Sequence, residues 1–363
     1  MTRAGLSFLT LSLAALAGCK AAKPKMPAVG LRPAGDTVST NFAAVTEAVP
    51  LGGNRWAVIA PSNESVGIVD FGQRRFRRLG GPGSKDVRNP STLFVAGDTL
   101  YVGDWGLGRT GLWTTDGRLV GSIPTSNAVR GTLPRARDSA GRLYFELHPR
   151  PGADGSGNRD SAAVVRMEPG SSRPDTIARL APLDIAEVVG DAGRRFERRV
   201  FSGVDEWGVL PDGSLWLARV YGNRVDWRSP DGEWSRGQAL PDRVLEVTRY
   251  DRELFVQGFP PELRRTAREL PFAPIKPPFE AGITDATGHV WLEKSRAPVD
   301  SARVYHVVDR NGRLVREIRL GGPGRIIGVE AGAVVVAEST PDGTNLVRVQ
   351  LPRIQGQTGG SQE

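Results

Sequence analysis

Short apolar runs recur along the chain, each with a large or branched side chain at its centre and each bounded by Gly, Pro, Asp or Asn. The clearest are Leu100-Tyr101-Val102, Leu143-Tyr144-Phe145, Leu215-Trp216-Leu217 and Val290-Trp291-Leu292. Plainer copies stand at Ala57-Val58-Ile59 and Val334-Val335-Val336. Runs this short, rich in β-branched and aromatic residues, read as strands buried on both faces. A second strand follows each and ends in a polar turn. Gly111-Leu112-Trp113 precedes Thr115-Asp116-Gly117, Arg224 to Trp227 precedes Pro230-Asp231-Gly232, and Val304-Tyr305-His306-Val307 precedes Arg310-Asn311-Gly312. Asp-Gly and Asn-Gly supply the positive φ of tight hairpin turns. A third strand comes next, over residues 119–123, 313–320 and 74–79, and a weaker one precedes the aromatic strand, as over 90–95.

The unit is therefore a four-stranded antiparallel meander that cannot bury its own faces, and stacking such units radially gives a β-propeller. The strand centres Val58, Tyr101, Tyr144, Trp216, Trp291 and Val335 lie 43, 43, 72, 75 and 44 residues apart. Two long intervals either contain insertions, giving six blades, or hide degenerate blades, giving up to eight; insertions are preferred. Within the second, residues 248–270 read as a short helical insertion. Thr248 and Asp251 form a capping-box-like start, Tyr250 and Leu254 lie four apart, and Leu263, Ala267 and Leu270 continue the stripe. Pro260-Pro261 divides it into two helices, the alternative being a strand pair through Leu254-Phe255-Val256. In the first, residues 189–199 read as a loop. The last repeat, 326–351, shows three strands, and Asp36 to Thr40 can supply the fourth and close the ring.

The pentapeptide Leu-Gly-Gly-Pro-Gly occurs at 79–83 and again at 320–324, each time after an outer strand. With the Asp/Gly turn before an aromatic strand, this pattern resembles the NHL-type and TolB-like six-bladed propellers and a group of bacterial propeller lipoproteins. The resemblance covers about residues 40–351. It rests on turn chemistry and core packing, and so implies an all-β architecture of four-stranded blades and no particular activity.

The amino end changes the picture from fold to address. Arg3 precedes an apolar run from Leu6 to Ala17, too short to span a bilayer, followed by Gly18-Cys19. Residues 1–18 read as a signal peptide, and Leu16-Ala17-Gly18-Cys19 resembles the lipobox of bacterial lipoproteins, which implies lipidation of Cys19. Residues 19–36, rich in Lys, Ala, Pro and Gly, read as a flexible tether, 37–352 as the propeller and 353–363 as a disordered tail. The resemblance implies a protein exported and anchored to the bacterial membrane, the outer one where there are two, because Lys20 replaces the Asp of an inner-membrane retention signal. Cys19 is the sole cysteine, so the fold has no intramolecular disulfide and no Cys-based metal site.

The net charge of +8 is carried almost entirely by Arg, with runs at 74–78 and 194–199. No nucleic-acid motif accompanies them, and no nucleic-acid partner is expected. Propellers bind at one end of the channel, so the loops just past the aromatic strands hold the candidates: Asp104, Trp105, Arg109, His148, Arg219, Tyr221, Asn223, Glu293 and Lys294. Aromatic, amide and charged groups on one rim suit a polar partner. His148, His289 and His306 fall at different repeat positions and do not predict one metal site. The alternating oxygens of Asp154, Ser156, Asn158 and Asp160 lack the Gly and closing Glu of a calcium loop. No phosphate loop, nucleophile elbow or zinc-protease helix is present. The expectation is a non-enzymatic propeller that needs no cofactor and binds an envelope protein, peptide or glycan through its rim. The alternative is a hydrolase or lyase dependent on calcium or another divalent cation in the channel, held by Glu146, Asp205, Glu293 and Glu338.

Overall fold

The computed structural model describes residues 28–149, 162–190 and 193–352. Chain order opens with β1 (Ala28–Leu31) and β2 (Asp36–Thr40). Blade 1 holds β3 (Glu47–Gly52), β4 (Arg55–Ala60), β5 (Ser65–Asp70) and β6 (Arg75–Gly80). Blade 2 holds β7 (Pro90–Ala96), β8 (Thr99–Asp104), β9 (Arg109–Thr114) and β10 (Leu119–Pro124). Blade 3 holds β11 (Pro134–Arg137), β12 (Leu143–Leu147), β13 (Ala163–Met167) and β14 (Asp175–Arg179). A hairpin of β15 (Ile185–Gly190) and β16 (Gly193–Arg198) leads to blade 4, of β17 (Glu206–Val209), β18 (Leu215–Arg219), β19 (Arg224–Arg228) and β20 (Trp234–Ser235). Helices α1 (Arg249–Gln257) and α2 (Arg264–Glu269) precede blade 5, of β21 (Phe279–Thr284), β22 (Val290–Lys294), β23 (Ala302–Val308) and β24 (Leu314–Gly321). Blade 6 holds β25 (Arg325–Glu330), β26 (Ala333–Thr340) and β27 (Gly343–Gln350), and takes β2 as its outer strand.

The long intervals thus hold insertions, and the propeller has six blades. Val58, Tyr101, Tyr144, Trp216, Trp291 and Val335 are all buried at the centres of the second strands. Each main apolar cluster joins two neighbours: Tyr305 and Ile318 of blade 5 pack with Val334 and Val347 of blade 6, and Trp56 and Val58 of blade 1 with Val335 and Leu346 of blade 6. The core is a ring of inter-blade layers, which is why both faces of each sheet read as apolar. Turn glycines adopt the expected conformation, with φ of 77° at Gly117, 101° at Gly232 and 67° at Gly312. Gly208 and Gly282 serve packing instead: a Cβ on either would strike the ring of Trp216, at 2.6 and 3.0 Å.

Closure pairs β2 antiparallel with β27, from Asp36 opposite Arg348 to Thr40 opposite Thr344. The helical insertion starts as expected: Thr248 Oγ1 accepts from the Asp251 amide and Asp251 accepts from the Thr248 amide, completing the capping box. Leu254-Phe255-Val256 lies inside α1, not in a strand.

Two expectations need correction. Residues 189–199 belong largely to the β15–β16 hairpin, held by full antiparallel pairing and the Arg194–Glu187 contact at 2.6 Å, not to a loop. Ala28–Leu31, placed in the tether by composition, forms β1 and pairs in parallel with β24 as a fifth strand on blade 5. Cys19, the signal segment, the tether up to residue 27, Asp154 to Asp160 and the tail from Arg353 lie outside the described residues.

Candidate functional site

All six inner strands touch one axial cavity of about 530 Å³, lined by Val49, Leu93, Ala136, Val209, Ile283 and Ile327 among others. Because blades repeat, the inner strands all begin at the same end of this channel. Their first or second residues there are Glu47, Ser91, Arg135, Glu206, Glu280 and Arg325. The second strands end at that same face, so the rim loops surround the mouth.

Arg135 is the centre of the mouth. Its Nη1 lies 2.6 Å from Glu146 Oε2, and its guanidinium stands 4.9 Å over the Trp207 ring. Trp207 Nε1 donates to the same Glu146 oxygen at 2.7 Å, which fixes ring and carboxylate together. Glu206 of the adjacent blade 4 and Glu47 of blade 1, across the channel, both feel the charge of Arg135. Burial pushes both carboxyls up to about 7, with Arg135 opposing the shift on each and Glu146 adding to it on Glu206. A second cavity of about 220 Å³ opens beside Glu47 and Arg135. On its wall, Glu293 is 3% exposed and clamped by Arg303 at 2.5 Å and Arg325 at 2.7 Å. Tyr305, raised by burial, accepts from the Ile326 amide at 2.9 Å.

The rim candidates separate into two kinds. Asp104 is buried, and its carboxylate accepts from the amides of Arg88, Asn89 and Leu107 at 2.7 to 3.0 Å, so it shapes the loop. Asp205 does the same for Ala181 and Val220, while Arg219 bridges it to Asp226. Arg109 donates to the Lys85 carbonyl. Trp105 and Tyr221 are free aromatics, 48% and 71% exposed, and His148 is exposed with Nδ1 3.8 Å from Glu146. Lys294 and Asn223 are brought together across the blade 4–blade 5 boundary at 3.4 Å. The Arg runs are largely engaged: Arg77 donates to the Asp116 carbonyl and Arg78 to Asn41, while Arg194 pairs with Glu187, Arg195 with Glu269 and Arg199 with Asp184.

Three of the four carboxylates named for a divalent ion are held by other partners. Glu146 is held by Arg135 and Trp207, Glu293 by two guanidiniums and Asp205 by backbone amides, while Glu338 lies on β26. Among the described residues no three His, Cys, Asp or Glu side chains are grouped to hold a metal. The residues that sequence reasoning missed are Glu47, Arg135, Glu280 and Arg325. Each opens an inner strand, one hairpin upstream of a second-strand centre (Val58, Tyr144, Trp291 or Val335), and that shared position is the signal by which they could be found.

No family model matches the sequence, and no curated protein matches it. Solved structures do resemble the chain. A calcium-binding protein, regucalcin, from Agrobacterium tumefaciens is 12% identical over 89% of this chain and 96% of that one, with a TM-score of 0.44. Virginiamycin B lyase from Staphylococcus aureus is 10% identical over 86% and 97%, with a TM-score of 0.45. A gluconolactonase from Xanthomonas campestris is 12% identical over 86% and 89%, also at 0.45. With scores below one half, the fold assignment rests on the sheets themselves.

Proposed function

We propose that this protein is a non-enzymatic binding propeller of the bacterial envelope, anchored through lipidated Cys19, and that its channel mouth takes the polar tip of a glycan or peptide. The observation behind the proposal is the Arg135 assembly set above an apolar lumen. Arg135 donates, Glu146 accepts, and Glu47 and Glu206, with carboxyls near neutrality, do either. Trp207 adds an aromatic face, and Trp105 and Tyr221 stand exposed on the surrounding rim. Such a set matches hydroxyl and amide groups better than a bare ion, and the mixed charge disfavours a strong polyanion.

Glycan and peptide arrays test this. Arg135→Ala should abolish capture of the ligands that wild type retains, and Trp105→Ala, at a 48% exposed rim position, should weaken it at an unchanged melting temperature. Capture that survives both variants would place binding elsewhere. A second reading, acid–base hydrolysis or elimination at the same mouth, is favoured by the raised carboxyls of Glu47 and Glu206. Turnover of a lactone or ester panel that is lost in Glu206→Gln, with binding retained, would support that reading instead.

A further inference from the structure

The helical insertion carries a cavity of its own, of about 440 Å³, which shares no lining residue with the axial cavity or with the one beside Glu47 and Arg135. Four arginines line it: Arg199 just before blade 4, Arg249 and Arg252 on α1, and Arg268 in the last turn of α2. Glu253 is the one carboxylate on its wall among the described residues. Two contacts gather the guanidiniums at one place. Arg199 Nη1 donates to the Phe272 carbonyl at 3.4 Å, and the Arg252 guanidinium stands 5.3 Å from the centroid of the Phe272 ring. Arg249 lies three residues before Arg252, so the two share a face of α1. The frame beneath is fixed. Phe255 meets Phe201, Phe259 and Phe272 at centroid distances of 5.9, 5.1 and 5.6 Å, and Lys276 holds the cap residue Asp251 at 2.6 Å. The Val200 amide donates to the Pro271 carbonyl at 2.7 Å, which ties the Arg199 segment to the far side of the cavity.

Charge decides what this wall would take. Asp184 answers Arg199 at 3.3 Å. Arg249, Arg252 and Arg268 are exposed and make no ion pair with a described carboxylate, while Glu253 accepts from Gln257 along the helix at 3.4 Å. With Glu253 set against one of these three arginines, two positive charges are left over. Like charges held this close repel one another, and an anion relieves the repulsion. Two surplus charges match a dianion, and forked guanidinium donors match several oxygens on one centre. A phosphate monoester, with a charge near −2 at neutral pH and three acceptor oxygens, has both properties. A carboxylate or a phosphate diester carries one charge and leaves half of the surplus unanswered. Leu270 and Pro271 add apolar wall for the carbon group of an ester, and the volume lies within the range of about 300–1,000 Å³ typical of small-molecule sites. We propose that this cavity binds a phosphate monoester, its phosphoryl oxygens on Arg249, Arg252 and Arg268 and its organic group against Leu270 and Pro271. A soluble sugar phosphate and a phosphatidate headgroup share that chemistry.

Two titrations of the full chain test the site and separate the sources. In calorimetry, glucose 6-phosphate should bind saturably with a dissociation constant of about 1 mM or lower, and glucose 6-sulfate, of the same shape with one charge fewer, about tenfold more weakly. In co-sedimentation, phosphatidylcholine vesicles containing phosphatidate should retain the protein more than vesicles containing the same fraction of phosphatidylglycerol, a diester. Arg249→Gln and Arg268→Gln, at exposed positions, should each weaken monoester binding about tenfold at an unchanged melting temperature. The double variant keeps the amino-terminal segment, so any vesicle binding by that segment cancels in the comparison. Arginine-dependent binding of glucose 6-phosphate without vesicle retention supports the site with a soluble ester as its ligand, and arginine-dependent retention on phosphatidate supports it with the headgroup. Binding of neither probe, with glucose 6-phosphate taken to about 20 mM, overturns the proposal. Equal affinity for phosphate and sulfate together with equal retention on the two vesicles overturns it too, since that marks a diffuse positive surface, as does binding unchanged in the double variant.

Discussion

Replacing Phe42 by Ala would test ring closure at its tightest point. Phe42 follows the closing strand β2 and is fully buried in the cluster that joins blade 6 to blade 1. Its ring meets Phe76 edge-on at 5.0 Å and lies under Arg78, and its carbonyl accepts from Thr344 Oγ1 at 2.9 Å. Truncating a buried Phe costs about 3–5 kcal/mol through lost transfer energy and the cavity left behind. The aromatic pair places this site near the middle of that range, about 4 kcal/mol. For a chain of this size each kcal/mol lowers the melting temperature by about 2 °C, so a fall of about 8 °C is expected. Thermal melts by circular dichroism would measure it, with Val299→Ala, at an 84% exposed position, as the control. A fall of less than about 2 °C would show that blade 6 does not depend on its amino-terminal strand, and the closure argument would fail.

Other consequences are equally direct. Tyr144→Phe removes the bond from Tyr144 Oη to Asp138 at 2.7 Å and should lower the urea-unfolding free energy by about 1–2 kcal/mol; no change would mean that Arg142 alone satisfies Asp138. Glu293→Gln leaves Arg303 and Arg325 without their buried anion and should cost about 3 kcal/mol in the same assay, with less than about 1 kcal/mol contradicting the clamp. Stability should also depend on pH with two signs. Glu47 and Glu206 have folded values of about 7 against an ordinary 4.5, so the folded state holds protons that the unfolded chain releases. Their contribution is complete below 4.5 and is lost as pH rises to about 7. Asp285, lowered from 3.8 to about 2 by hydrogen bonds from His289 and Thr287 that outweigh its burial, acts the other way and loses its contribution as pH falls through that interval. Melting curves of Glu206→Gln should therefore be flatter than wild type between pH 4.5 and 7; parallel curves would contradict the shift on Glu206.

Much of the architecture was legible because its causes are local. Leu143-Tyr144-Phe145 and its counterparts alternate within a few residues, and Asp116-Gly117 or Asn311-Gly312 sets the turn by its own backbone preference. The capping box of Thr248 and Asp251 likewise spans one helical turn. The β15–β16 hairpin was missed because its strands carry Arg and Glu with little apolar alternation, and their cross-strand pairing supplies what the pattern lacks. Strand β1 was missed for a different reason. Its partner β24 is nearly the whole chain away, and a run of Ala, Val, Gly and Leu next to a tether has no local mark of its neighbour.

The candidate sites divide along the same line. Asp104 and Asp205 were visible as carboxylates in the correct loops, but whether their oxygens meet a ligand or a row of amides depends on the loop from the preceding blade. Arg135, Glu47 and Glu206 come from three blades, and only closure of the ring puts one guanidinium between two carboxyls and raises those carboxyls by burial. The sequence by itself determined the strands, the turns and the repeat, because those follow from side-chain period and backbone preference over a few residues. The tertiary structure alone decided which charges share a cavity, because electrostatics and desolvation act through distances set by contacts far apart in the chain.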